Sequence, residues 1–232
     1  MTVATERELL IVGAGGFGRE TVEAVRALNA VSARWRLAGY LDDDPARHGT
    51  MIEGIPVLGG IEKLGDMPDA SVVVCTGRPG NYRSRPAIVE RLGLPSERYA
   101  TIIHPSASVP VGSRIGPGTV LLAQTALTTA ITIGSHVAVM PHVVLTHDDV
   151  IDDFATMASG VCLGGNVRVG PCAYVGAGAL VRENCSIGSG ALVGMGAIVT
   201  RDIPDDEVWA GVPARYIRKA GAAGAGVGPE ER

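Results

Sequence analysis

The residues GSHVAVMPHVVLTHDDVIDDFATMASGVCLGGNVRVGPCAYVGAGALV, 134–181, decide the fold. Large apolar side chains recur at every sixth position: Val139, Leu145, Ile151, Met157, Leu163, Val169, Val175 and Val181. The frame continues without a slip in both directions, from Ile103 to Val199. A small or β-branched residue stands two positions earlier, as at Ala155, Val161, Val167, Ala173 and Ala179, and Gly often follows, as at Gly164, Gly170 and Gly176. An amphipathic helix needs apolar spacing near 3.6 and a half-buried strand needs alternation, so a period of six fits neither. It fits a hexapeptide β-helix, in which each hexad makes one short face and turns a corner. Three faces close one coil, so residues eighteen apart stack at the strand spacing of ~4.8 Å.

Composition agrees with a thin, coiled interior. Hydrophobic residues make up 46% of the 232 residues, yet aromatics only 4%, and the 32 glycines suit a chain of corners. A net charge of -4 gives no general attraction to nucleic acid. Cys75, Cys162, Cys172 and Cys185 show no CxxC spacing and read as thiols in a reducing compartment. The opening MTVATERELLIVG is polar and acidic before a short apolar run, which is not the pattern of a signal peptide. No apolar run reaches membrane-spanning length. The expectation is a soluble, cytoplasmic protein with neither a nucleic-acid nor a membrane partner.

Upstream of the repeats the pattern changes. Leu9–Val12 is apolar and leads into Gly13-Ala14-Gly15-Gly16-Phe17-Gly18, a G-x-G-x-x-G spacing between a strand and a helix over Arg19–Asn29. Strands are expected at Trp35–Leu41 and Ser71–Thr76, a short extended piece at 54–60, and a helix at Ser84–Leu92. Alternating strands and helices argue a small parallel sheet covered by helices, a Rossmann-like domain over residues 1–100. The glycines have two readings, a tight turn that needs backbone freedom or helix-start N–H groups that meet phosphate. Asp42, closing the second strand, stands where a carboxylate can bond a ribose or sugar hydroxyl. The repeats that follow are unlike a dehydrogenase substrate domain, which disfavours nicotinamide chemistry. The β-helix is expected over 101–203, an extended segment with a basic stretch over 204–219, and a low-complexity disordered tail over 220–232.

Within the repeats, polar residues that the hexad does not explain are the candidates for chemistry. His48 reads as solvated, His104 as a cap at the junction, and His136 and His142 occupy one hexad position in successive repeats and can be plain surface residues. His147 differs, because Asp148 and Asp149 follow it; a carboxylate beside an imidazole fixes its tautomer and raises its basicity. Asp149 takes a small-residue position, so it is either strained or partnered. Gly165, eighteen residues on, falls one coil below His147 with its N–H open. A base beside a free amide donor is the minimum for acyl transfer. The competing reading is a surface histidine in an acidic turn.

These stretches together, GAGGFGRE, GYLDDDP, TGRPGNYR, IHPSASV, LTHDDVIDD, LGGNVRVG and WAGVPARYIRK, resemble the sialic-acid O-acetyltransferase-like family, which includes bacterial N-acetyltransferases of nucleotide-linked amino sugars. The resemblance spans about Leu9 to Lys219. It implies a left-handed parallel β-helix of hexapeptide repeats behind the Rossmann-like domain, and a homotrimer with acetyl-CoA in the groove between neighbouring β-helices. It implies His147 as general base, with Asp148 orienting it, and Gly165 binding the thioester carbonyl. Positions near acyl-CoA fall on Thr156, Ala177 and Met195, and from their charge Arg215 and Lys219 are placed toward its phosphates. Acceptor positions fall on Gly15, Gly16, Phe17, Asp42, Asp43 and Gly77. Phe17 and Thr156 stand where members often carry histidines.

The expected activity is therefore acetyl transfer from acetyl-CoA, as co-substrate and without a metal, to the amine of a nucleotide-linked amino sugar. The alternatives are another acceptor, such as a sugar hydroxyl or a secondary-metabolite amine, and a non-catalytic trimeric scaffold. A zinc hydratase like the γ-class carbonic anhydrases is a further alternative, since His142 and His147 have the spacing of two of its ligands. A catalytic zinc needs three protein ligands, and no third histidine lies between His104 and His136.

Overall fold

The computed structural model describes residues 6–221. The expected tail over 220–232 lies almost wholly outside them. The front of the chain runs β1 (Arg7–Val12), α1 (Gly16–Val31), β2 (Trp35–Leu41), β3 (Met51–Ile52), β4 (Ile55–Gly59), β5 (Ser71–Val74) and α2 (Ser84–Leu92). These strands form one sheet in the order β3-β4-β2-β1-β5, parallel apart from the β3–β4 pair. Parallel strands covered on both faces are apolar throughout, and all four residues of β5 are buried. From β1 the chain crosses to β2 on one side and later returns to β5 on the other. That reversal opens a crevice at the carboxyl ends of β1 and β5.

Behind the sheet, two-residue strands wind into a parallel β-helix. Its first face stacks Ile102–Ile103, Val120–Leu121, Ala138–Val139, Thr156–Met157, Tyr174–Val175 and Leu192–Val193. The second face carries Ala126–Leu127, Val144–Leu145, Cys162–Leu163, Leu180–Val181 and Ile198–Val199. The third carries Arg114–Ile115, Thr132–Ile133, Val150–Ile151, Arg168–Val169 and Ser186–Ile187. Partners are eighteen residues apart, as in Val139 against Met157. Every hexad aliphatic from Leu121 to Val199 is buried, and they pack into one column with the small residues that precede them.

The corners refine the sequence reading. The strained position lies three residues after each aliphatic, where φ is near +60° at His136, His142, Asp148, Phe154, Asn166, Cys172 and Asn184. Short polar side chains tolerate that conformation best, which accounts for the Asn and Asp there. The glycine directly after an aliphatic serves a different need. At Gly164 a Cβ would collide with the backbone of Glu183 in the next coil.

The coil closes early. Ile203 bridges Ile187 after sixteen residues instead of eighteen, and Asp202 and Asp205 accept the N–H groups of Ser186 and Ser189. The expected extended segment is a hairpin. Glu207–Ala210 adds to the first face beside Leu192–Val193, and Arg215–Lys219 pairs antiparallel to it.

Candidate active site and acceptor cleft

His147 sits on the corner between the second and third faces, with 65% of its side chain exposed. Its Nδ1 lies 2.9 Å from Asp148 Oδ2. A carboxylate only accepts, so Nδ1 carries the hydrogen and Nε2 is left as the basic nitrogen. Directly beneath is Gly165. A Cβ there would overlap the imidazole ring, so only glycine lets the ring settle on that backbone. Asn166 N–H donates to the His147 carbonyl at 2.8 Å, fixing the two turns in register. Among the described residues nothing accepts the Gly165 N–H.

Asp149 is partnered rather than strained. It is 1% exposed, and its two oxygens accept the N–H groups of Thr146 (2.6 Å) and Val167 (2.9 Å). Burial raises its pKa to about 6, against the lowering effect of those two bonds.

Ala177 and Met195 stack on the corner between the first and second faces, at the other end of the second face from His147. Ala177 is exposed and Met195 is 81% exposed, offering an apolar edge to a ligand. Arg215 is exposed where the closing hairpin returns, and Lys219 pairs with Glu207 at 3.0 Å.

Thr156 is not on either edge. It is 4% exposed on the first face, under the front domain, and its hydroxyl accepts from Arg85 Nη2 at 2.7 Å. The front domain covers the face it occupies, which sets Thr156 apart from the exposed Ala177–Met195 edge.

The acceptor positions converge on the crevice of the parallel sheet, a cleft of about 590 Å³. Gly15, Gly16, Phe17, Asp42 and Gly77 line it. Gly15 and Gly16 open α1, and a Cβ on either would meet nothing within 4 Å, so their side of the helix start is bare backbone. No side chain caps this helix, which leaves its first N–H groups toward the cleft. Asp42 Oδ2 accepts the Ala14 N–H at 2.8 Å and Oδ1 the Asp44 N–H at 3.0 Å, tying the glycine loop to the end of β2.

Asp43, next in the turn, is exposed and is not among the residues that line this cleft. It turns to Arg91 on α2 at 2.8 Å, and that bond holds its carboxyl below the usual range. Its neighbour Asp44 lines the cleft instead, together with Arg47, Thr76, Arg78, Asn81 and Ser84, which the sequence reading missed. Most of these lie in the TGRPGNYRS stretch, whose arginines were the available signal.

That stretch also fastens the two halves of the molecule. Arg85 is 1% exposed and donates to the carbonyls of Thr76 (2.7 Å), His136 (3.1 Å), Phe154 (2.5 Å) and Ala155 (3.1 Å), besides Thr156. Burial lowers its pKa to about 10. Gly77 has φ +125°, and a Cβ there would overlap the Arg85 guanidinium. Tyr82 and Arg83 both donate to Gly190 O. These anchors lie on the first face and its corner with the third. The cleft lining therefore contains no residue of the His147 turn.

The remaining histidines separate by environment. His136 is 6% exposed beneath the front domain, stacked on Phe154. His142 is exposed at the opposite end of Val144–Leu145 from His147, so the two do not share a corner. His104 Nδ1 accepts the Ser106 N–H as a turn cap. His48 Nε2 lies 2.7 Å from the Asp42 carbonyl. Among the described residues no cluster of three His, Cys, Asp or Glu is placed to hold a metal, and no helix is long and apolar enough to cross a membrane.

Comparison with known proteins gives this geometry a context. The PglD N-terminal domain matches residues 8–92. The UDP-N-acetylbacillosamine N-acetyltransferase of Bacillus subtilis (strain 168) is 34% identical over 122 residues, which cover 50% of this chain and 52% of that protein. The match thus spans about half the length of this curated relative. The acetyltransferase domain of PglB from Neisseria gonorrhoeae FA1090 superposes with a TM-score of 0.79 at 30% identity, over 91% of this chain and 100% of that one. The same domain is known in complex with acetyl coenzyme A. PerB from Caulobacter crescentus, in complex with CoA and GDP-perosamine, superposes with a TM-score of 0.79 at 28% identity, over 94% of this chain and 100% of that one. The chain belongs to the nucleotide-sugar N-acetyltransferase family that joins a PglD N-terminal domain to a parallel β-helix.

Proposed function

We propose that this chain transfers the acetyl group of acetyl-CoA to the amine of a nucleotide-linked amino sugar. The observation that carries this reading is the His147–Asp148 pair seated on Gly165, in a fold shared with proteins solved with acetyl coenzyme A and with GDP-perosamine. His147 Nε2 takes a proton from the acceptor amine as it attacks the thioester carbonyl. Asp148 holds Nδ1–H and stabilises the imidazolium that results; as the carbonyl re-forms and the C–S bond breaks, that imidazolium returns its proton to the departing CoA sulfur. The unspent Gly165 N–H donates to the carbonyl oxygen as charge develops there. The exposed Ala177–Met195 edge supports the acyl-CoA chain, and Arg215 lies toward its phosphates. Gly15, Gly16, Phe17, Asp42 and Gly77 receive the nucleotide sugar, with phosphate at the start of α1.

In this reading residues 1–100 bind the acceptor, 101–203 carry acyl transfer, and 204–219 close the coil. The cleft is anchored on one corner and His147 stands on another, so a neighbouring copy completes the site, and the working form is a homotrimer. The four free cysteines support a cytoplasmic setting.

The test is thiol release from acetyl-CoA against a panel of UDP-, GDP- and dTDP-linked amino sugars, with matched hydroxyl sugars, and mass analysis of the product. His147→Ala should lose at least about a hundredfold in kcat while keeping its oligomeric state. Near-normal turnover in that variant removes His147 from the role of base, and acetylation of hydroxyl sugars alone removes the amine.

A further inference from the structure

We infer that Asp149 is a positioning residue that clips the turn bearing the base to the turn bearing the oxyanion donor. The inference rests on the roles just proposed for His147 and Gly165.

The hexad position of Asp149 points into the coil. Ile131 lies above it and Val167 below, and both are buried. A carboxylate there gives up hydration for only two bonds, both to backbone N–H groups, one in each of two successive turns. Thr119 makes one comparable bond, its hydroxyl accepting the Val137 N–H at 3.0 Å, but it donates its own hydrogen to Gly134 O and accepts no second N–H; most other turns manage without such a group. In them the N–H of the small-residue position donates to the carbonyl three residues back, as Val161 does to Ala158, Ala173 to Gly170 and Ala179 to Gly176. The Val167 N–H instead donates to Asp149 Oδ1, and the Thr146 N–H, next to His147, donates to Asp149 Oδ2.

The turns altered in this way are 146–149 and 164–167. The first presents the imidazole and the second presents the Gly165 N–H. Parallel-strand bonds already hold the two coils together, with Val144 beside Cys162 on one side and Val150 beside Arg168 on the other. Those bonds set the coil spacing. At the corner itself one backbone bond joins the coils, from the Asn166 N–H to the His147 carbonyl at 2.8 Å, and about that single point the two turns can still pivot. The carboxylate spans that freedom, because it bonds the residue before His147 and the second residue after Gly165. Neither oxygen reaches the ligand side, so the effect on acetyl transfer runs through the placement of base and donor.

Asp149→Val tests this, since valine matches Val167 below and removes both acceptors. Asp149→Asn keeps the shape and one acceptor oxygen. The Thr146 and Val167 amides of the intact protein, followed by hydrogen exchange without substrate, should exchange faster in Asp149→Val. kcat should fall about ten- to hundredfold, as expected for a misplaced catalytic group. KM for acetyl-CoA and for the acceptor should each stay within about threefold, the mark of lost placement rather than lost binding. Asp149→Asn should fall between that variant and wild type. Wild-type kcat in Asp149→Val overturns the inference. So does a loss of thermal stability in both variants with kcat per folded enzyme unchanged. Unchanged exchange at both amides overturns the clip itself. If wild type acetylates none of the nucleotide sugars, the proposed function fails, while the exchange result still decides whether the clip exists.

Discussion

Changing His136 to Phe separates two buried titrations that oppose one another in the native protein. The His136 ring is stacked on Phe154, with centroids 5.0 Å apart and planes within 5°, and Tyr99 meets its edge at 4.6 Å. Its Nδ1 has no partner among the described residues, and Arg85 donates to its backbone carbonyl. Burial first, and then the Arg85 charge, lower its pKa from 6.5 to about 4. Between those values the unfolded chain binds a proton that the folded chain refuses. This contribution to stability is therefore complete above about pH 6.5 and is lost as pH falls toward 4. Linkage makes the loss about 2 kcal/mol between about pH 7.5 and about pH 5. Asp149 runs the other way. Its pKa is raised from 3.8 to about 6, so the folded state takes up its proton first and gains stability as pH falls through that window. The gain at about pH 5 is between about 1 and about 1.5 kcal/mol, which masks more than half of the His136 loss in wild type. Phe is the chosen replacement because Phe154 holds the equivalent left-handed turn position one coil on, φ 62° against 55°. Urea unfolding of both proteins at the two pH values, at fixed chain concentration, supplies the measurement. The stability of His136→Phe relative to wild type should rise by about 2 kcal/mol on acidification, whatever its value at neutral pH. A relative stability that stays constant within about 0.5 kcal/mol refutes a neutral imidazole held beneath the front domain.

Two further substitutions probe the site and the joint between the halves. Gly165→Ala should displace the His147 ring and lower kcat about a hundredfold with the circular-dichroism spectrum unchanged, because the atoms nearest the Cβ are all in that side-chain ring and not in backbone. Arg85→Met should cost at least about 3 kcal/mol in urea unfolding, since it leaves several buried carbonyls without a donor. Arg85→Lys should recover part of that loss, and equal losses in the two variants would show that side-chain volume, not hydrogen bonding, matters there.

The β-helix was legible because its period is a geometric constraint repeated at every coil. Each aliphatic on that frame from Leu121 onward is in the interior, and the eighteen-residue stack of His147 on Gly165 follows from counting alone. What counting does not contain is which face the front domain covers. That choice separates His136 from His142, which share a hexad position yet end buried and exposed. It also buries Thr156 against Arg85. In the Asp42-Asp43-Asp44-Pro45 turn, sequence placed the carboxylates at the end of β2 but not their directions. Those depend on Asp44 capping the turn at Ala46 and on Arg91 of α2 drawing Asp43 away. Arg85 was hidden for a similar reason. Among Arg78, Arg83 and Arg85, close together in the loop before α2 and its first turn, nothing in composition marks the one that is buried.

The eighteen-residue step between His147 and Gly165 limits how this gene can change in length. One residue inserted or deleted between them would carry base and donor to different parts of the corner, and six would carry them to different corners. A change of length outside that interval leaves their meeting intact. The coil from Ile187 to Ile203 is two residues short and is still closed by Asp202 and Asp205. Length variation is thus affordable at the far end of the β-helix, and among relatives of this chain it should accumulate there while the segment from 147 to 165 keeps its length.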